Sequence, residues 1–229
     1  LLARRRYEEA FGQRLVPDVP MSRISRTPEF LRFFVYWAFQ AAPLQRAYNA
    51  ALAEYRRRHK VRSPANPFPD LSVRPDQGVE LPFWGLTPSG VRRKLYARKD
   101  RDRIVLSHLE GEFARLPLDG DEAVAALLDA GAQVRPRALP LTVFHRLFVS
   151  DLFIHDTGGG GYDQVTDLFI EKVFGVPAPT YAVVSATLHL PLGETPVQPG
   201  ALRALRRKLR DLRFNPQRFA WELGEAGAE

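Results

Sequence analysis

The chain of 229 residues contains no cysteine. This absence excludes a disulfide scaffold, a thiolate zinc site and a cysteine nucleophile. Long apolar runs are also missing: the run from Phe33 to Ala42 is interrupted by Gln40 and ends at Pro43, well short of the roughly 20 residues of a membrane-spanning helix. The first residues do not have the pattern of a secretory signal. We therefore expect a cytoplasmic protein with no membrane partner and, since the chain begins with leucine, a piece of a longer protein whose N-terminal half is missing.

The net charge of +7 is unevenly distributed. Residues 1–62 carry thirteen Lys and Arg against five Asp and Glu, residues 121–195 carry four against nine, and residues 196–229 carry seven against four. A uniformly basic chain would indicate a nucleic-acid-binding protein. Two basic ends around an acidic middle instead indicate parts that pack on each other. We therefore do not expect a nucleic-acid partner, and a nucleic-acid binder with arginine-rich arms is kept only as a second alternative.

Composition and hydrophobic periodicity divide the chain into three predicted parts. Residues 1–62 form a helical arm, with helices at 1–15, from Pro28 to residue 42, and at 44–62, each bounded by proline. Residues 63–118 form a β-rich insertion, with a three-stranded meander at 79–84, 93–98 and 104–106. Residues 119–229 form an α/β core that ends in an amphipathic helix.

The predicted core rests on alternating strands and helices. A helix at 119–128, with Gly131 as its stop, precedes strands at 133–138, 152–155 and 180–190, which are separated by helices at 141–150 and 162–174. This alternation predicts a Rossmann-like parallel-sheet core. The last helix, starting at Pro199, repeats leucines at heptad spacing and therefore predicts a partner on 199–214, either the missing N-terminal half or a second subunit.

A glycine-rich segment follows the predicted strand at 152–155. Four consecutive glycines allow a positive φ and a close approach to the backbone amides, and the start of the following helix favours an anion. In parallel α/β folds the crevice beyond the strand ends is where ligands bind. The sequence therefore predicts an anion site here, although a flexible loop that only needs glycine remains open. The predicted anion-binding residues are Arg135, Arg137, Gly158, Gly159, Gly160, Gly161, Tyr162 and Asp163.

His155 and Asp156 are the predicted catalytic residues, because they stand at the strand end and a histidine exchanges protons near neutral pH. Asp163 and Asp167 lie four residues apart on one helix face. These two acids suit either a metal ion or ordinary interactions with the helix start. The second interpretation is favoured, and no metal site is predicted.

The segment that begins Val134-Arg135-Pro136-Arg137, continues through the glycine-rich turn and ends in Phe174-Gly175-Val176-Pro177 resembles the cysteine-adding enzymes of bacillithiol biosynthesis. It is also similar to uncharacterised bacterial proteins with a His-x-x-Gly-Gly-x-x-Tyr-Asp segment. The similarity covers about 60 residues, near 130–190. It implies a ligase-type Rossmann-like core whose active crevice is shared with an N-terminal half.

The function expected from the sequence is the C-terminal part of a ligase-like or transferase-like enzyme. This enzyme would bind an anionic small molecule, such as a nucleotide, at the glycine-rich turn. The first alternative is a non-catalytic interaction protein that docks a partner through the leucine-striped basic helix.

Overall fold

The computed structural model describes residues 18–187 and 200–219, together with the isolated residues 6, 9 and 10. The chain divides into two compact units, residues 1–185 and 186–229. Most of the predicted helix at 1–15, and the end of the predicted strand at 180–190, lie outside the described residues. Among the described residues, no helix combines the length and apolarity needed to cross a bilayer.

Three helices open the described part of the first unit. They are α1 (Met21–Ile24), α2 (Pro28–Phe39) and α3 (Ala41–Arg58). The Thr27 hydroxyl caps α2 by accepting a hydrogen bond from the Phe30 amide, and Pro28 occupies the first helical turn, as the sequence predicts. Pro43 falls in the first turn of α3, where its missing N–H costs no helical hydrogen bond.

An antiparallel sheet follows. Its strands are β1 (Val73–Arg74), β2 (Gly78–Leu86), β3 (Arg92–Asp100), β4 (Arg103–His108) and β5 (Gly111–Pro117), paired in chain order. The predicted meander is therefore present and is extended by β1 and β5. The helix α4 (Gly120–Asp129), capped by the Asp119 carboxylate, comes next.

The prediction of a Rossmann-like parallel-sheet core is wrong. The strand β6 (Val134–Pro136) pairs antiparallel with β2, so that Phe83, Trp84 and Gly85 face Pro136, Arg135 and Val134. Parallel pairing occurs, among the described strands, only between β7 (Ile154–His155) and β8 (Ala182–Val183), which form a separate two-stranded sheet. Short apolar runs separated by helices do not reveal strand direction, and β6 finds its partner in the meander about 50 residues earlier.

The remaining elements of the first unit surround the predicted site. They are α5 (Ala138–Phe144), which continues as a π-helical turn (His145–Val149), α6 (Thr157–Tyr162) and α7 (Gln164–Phe174). Gly175 ends α7 in the left-handed conformation, with φ 64°, which glycine commonly adopts after a helix. The glycines that were expected to form a turn are instead the helix α6.

An aromatic core joins the helices to the antiparallel sheet. The rings of Phe30 and Phe33 on α2 lie against Phe83 on β2 and Phe144 on α5. Trp37 stacks on Phe169 of α7, with ring centres 5.1 Å apart. These contacts bury the apolar face of α2 and fix α5 and α7, the two helices that supply the polar cluster described below.

The second unit is described over residues 200–219. It consists of α8 (Ala201–Phe214) and a short 3₁₀ turn (Pro216–Phe219). The predicted leucine-striped helix is therefore present, and it begins two residues after Pro199.

Candidate functional site

A buried arginine organises the residues around α6. Arg146, on the π-helical turn, has a side chain that is 1% exposed. Its Nη1 donates to Asp163 Oδ2 over 2.6 Å, its Nη2 donates to Asp167 Oδ1 over 2.7 Å, and its Nε donates to the Pro179 carbonyl over 3.1 Å. The guanidinium carbon also lies 4.7 Å from the ring centre of Tyr181. Arg146 thus ties α7 to the segment that enters β8.

His155 shares the buried carboxylate with Arg146. Its Nε2 lies 2.9 Å from Oδ2 of Asp163, whose side chain is 3% exposed. An ionised carboxylate only accepts hydrogen bonds, so Nε2 carries the proton and Nδ1 keeps a lone pair when the imidazole is neutral. The ring also packs edge-on against Phe153 and Tyr181, with centres 4.8 and 5.1 Å away. The carboxylate and the two rings therefore fix the orientation of the imidazole.

The four glycines are helical, and none of them has a positive φ. The Asp156 carboxylate caps α6 by accepting a hydrogen bond from the Gly159 amide. The Asp156 carboxylate therefore binds one of the amides, that of Gly159, that the sequence predicted to bind an anion. Asp156 acts here as a helix cap, and Tyr162 is exposed at the end of α6.

Close packing explains two of these glycines. A Cβ atom on Gly159 would lie 2.6 Å from His155 Nδ1, and one on Gly160 would lie 2.5 Å from Val183 Cγ2. The Tyr181 hydroxyl donates to the Gly160 carbonyl over 2.8 Å. By contrast, a Cβ on Gly161 would meet no atom within 4 Å, and one on Gly158 would make an ordinary contact with Asp156.

Arg135 forms a hydrogen bond with Ser25, the residue after α1, and Arg137 forms one with Glu80 on β2. Arg135 donates to the Ser25 hydroxyl over 2.8 Å. Arg137 donates to Glu80 Oε1 over 2.8 Å, and its guanidinium stacks on Trp84 at 4.3 Å. The prediction that neighbouring parallel strands bring both arginines to the glycines depended on the Rossmann-like sheet. Because β6 pairs with β2 and not with β7, that reason no longer holds.

Glu80 is the centre of this second polar cluster. Its side chain is buried and accepts from Ser72, Arg137 and Lys94. Burial alone would raise the pKa of Glu80, but the hydrogen bonds from these three residues outweigh it and leave the pKa below its ordinary value. Within the described part of the chain, Nε and Nη2 of Arg137 are buried without a hydrogen-bond partner.

The electrostatic environment of α6 is acidic. Burial raises the pKa of Asp167, and Arg146 only partly opposes that effect. Burial also raises the pKa of the Tyr181 phenol, to which the charges of Asp167 and Asp163 contribute. With Arg135 and Arg137 bound elsewhere, the cation contacted by these carboxylates is Arg146. The carboxylates around His155 therefore disfavour an anionic group at this place.

Asp163 and Asp167 both bind Arg146, which leaves no evident role for them in holding a metal. Among the described residues, no group of three or more His, Asp or Glu side chains is arranged to hold a metal ion.

A separate apolar cavity of about 640 Å³ lies between α2, the π-helical turn and the end of α7. Its lining includes Phe33, Tyr36, Phe144, Phe148 and Phe174. None of the residues of the α6 cluster lines it. The cavity therefore adds no side chain to the candidate site.

Arg146 and Tyr181 were not among the site residues predicted from the sequence. The paired acids at 163 and 167 were a usable signal, because two acids on a largely buried helix face require a cation.

Comparisons of the chain with models of protein families, with curated proteins and with solved structures found no match. The resemblance to the cysteine-adding enzymes stays a prediction.

Proposed function

We propose that the residues around α6 form the proton-transfer site of an enzyme that acts on a small molecule. In this site His155 is the general base and Asp163 orients it. The observation that carries the proposal is the hydrogen bond from His155 Nε2 to a carboxylate that is itself held by Arg146. A base oriented by a third group is the arrangement that activates a nucleophile in acyl and group transfer.

Gly159 packs against the ring nitrogen that would act as the base. Any larger residue would place its Cβ 2.6 Å from His155 Nδ1, the nitrogen that carries the lone pair. Close packing therefore explains the glycine. A reacting group reaches Nδ1 only when α6 moves away from the ring, so the proposal requires local opening of α6.

A ligase-like or transferase-like reaction remains part of the proposal. Such reactions need a base that removes a proton from an attacking hydroxyl, amine or thiol, and His155 would supply it. The expected anionic substrate has weaker support, since the predicted arginines bind Glu80 and Ser25.

The proposal is tested by nitrogen NMR on the full chain and by a turnover screen with esters, thioesters and phosphoesters. We expect the neutral form of His155 to carry its proton at Nε2, with its signals assigned from their loss in His155→Gln. Turnover should fall by about 10²–10⁴-fold in His155→Gln.

His145→Gln is the matched control, because His145 binds the Leu141 carbonyl of its own helix and not an acid. It should keep full turnover. A His155 ring protonated at Nδ1, or a His155→Gln variant with unchanged turnover, would exclude His155 as the base.

A further inference from the structure

The helix α8 presents an apolar stripe that repeats every three and four residues. The stripe consists of Leu202, Leu205, Leu209 and Leu212. The first three of these leucines are between 57% and 69% exposed. At about 100° per residue the four side chains span an arc of only about 80°. A stripe confined to positions a and d has the width of a coiled-coil seam, narrower than the apolar face of a helix packed on a globular core.

The residues beside the stripe are cationic. With the leucines at positions a and d of a heptad, Arg206 and Arg213 occupy position e and Lys208 occupies position g. Residues 201–214 contain six Lys and Arg against a single acid, Asp211. A second copy of α8 would place cations against cations in either the parallel or the antiparallel orientation. The charges therefore disfavour self-association and favour an acidic partner helix.

The chain's own C-terminal turn lies against a different face of α8. Phe219 shares a cleft with Arg203, Arg207 and Asp211. These residues lie on the side of the helix roughly opposite the leucines. The 3₁₀ turn therefore packs on the polar face of α8 and does not cover the leucine stripe.

We propose that α8 is a docking helix for another protein, whose helix presents aliphatic residues at a and d and acidic residues at e and g. The leucines supply the apolar contact, and Arg206 and Arg213 select the partner by charge. This proposal is independent of the proton-transfer site, because it uses no residue of the α6 cluster.

The probe is a synthetic helix with leucine at a and d and glutamate at e and g, measured by fluorescence anisotropy against the full chain. Its twin carries lysine at e and g. We expect the acidic helix to bind at least about tenfold more tightly than the basic twin. Leu205→Ser/Leu209→Ser should lose binding to both.

The deciding variant is Arg206→Glu/Arg213→Glu, which should reverse the preference between the two probes. Arg207→Glu is its matched control, because this residue lies at position f, away from the seam, and should keep the preference for the acidic helix. Circular dichroism verifies that each variant keeps its helix content.

Three results would overturn the proposal. They are equal binding of both probes, self-association of the full chain in analytical ultracentrifugation through the leucines, and binding to phosphatidylserine vesicles without binding to either helix. The last two would assign the leucine stripe to a second copy or to a membrane surface.

Discussion

Replacing Gly159 by alanine probes the contact on which the candidate site depends. In a helix alanine is more favourable than glycine by about 0.5–1 kcal/mol. At position 159 that gain is opposed by a Cβ 2.6 Å from His155 Nδ1 and 3.0 Å from Asp156 Oδ1. Inserting a methyl group into a filled space costs about 1–3 kcal/mol. Gly159→Ala should therefore range from neutral to destabilising by about 2.5 kcal/mol.

Gly161→Ala is the matched control on the same helix. No atom lies within 4 Å of its added Cβ, so the full helix-propensity gain should appear as increased stability. The two variants therefore differ by the cost of the contact with His155, about 1–3 kcal/mol in the free energy of unfolding. The imidazole cannot turn away cheaply, because Asp163 holds its Nε2 at 2.9 Å.

A double-mutant cycle identifies the imidazole as the cause. With His155→Ala in the background, the part of the Gly159→Ala cost that the imidazole causes should disappear, and only the 3.0 Å contact with Asp156 Oδ1 should remain. The measurement is urea-induced unfolding followed by circular dichroism, with the midpoints compared at constant slope. If Gly159→Ala is as stabilising as Gly161→Ala in the native background, His155 does not pack on Gly159.

The two polar clusters give further predictions. Glu80→Gln should lower the free energy of unfolding by about 3–5 kcal/mol at pH 7, because it leaves Arg137 buried without its carboxylate. The folded-state pKa of Glu80 is depressed. The stabilisation by Glu80 is therefore present above the unfolded-state pKa and disappears as the pH falls through the folded-state pKa. A difference in urea midpoint between the native chain and Glu80→Gln that stays constant down to acid pH would contradict this. Arg137→Ala should also destabilise the fold, because it leaves Glu80 without this partner, whereas loss of a residue that only bound an anion would leave thermal unfolding unchanged. Asp163→Asn should lower the free energy of unfolding by about 3–5 kcal/mol. Asp167→Asn should lower it by about 1 kcal/mol or less, because the Asp167 side chain is 33% exposed and burial already raises its pKa. Equal losses of the two variants in urea unfolding would refute this ranking.

Local features of the fold were predictable from the sequence. The helices at Pro28 and after Asp119 begin within one residue of where they were expected, because capping depends on residues within one turn of the chain. Strand direction was not predictable. The residues of β6 are compatible with parallel or antiparallel pairing, and its partner residues 83–85 of β2 lie about 50 residues earlier in the chain.

The candidate site was predicted in part. His155 and Asp163 stand eight residues apart, and the structure joins them because the chain turns back through α6. Arg135 and Arg137 were assigned to this site through an assumed parallel sheet, and the assignment lost its basis with that sheet. Arg146 was overlooked because it lies within an apolar helical segment, where a lone arginine gives no sign that Asp163 and Asp167 will enclose it.

The glycine run is only half explained by packing. Gly159 and Gly160 face His155 and Val183 at distances that exclude a side chain, whereas Gly158 and Gly161 have room for one. Each of these two open positions weakens α6 by about 0.5–1 kcal/mol relative to alanine, although Asp156 and Tyr181 bind the helix at its start and middle. Low intrinsic helix stability reduces the free energy needed to open a segment locally. The two open glycines therefore favour a segment that can move away from His155 Nδ1, as a base that must admit a substrate requires.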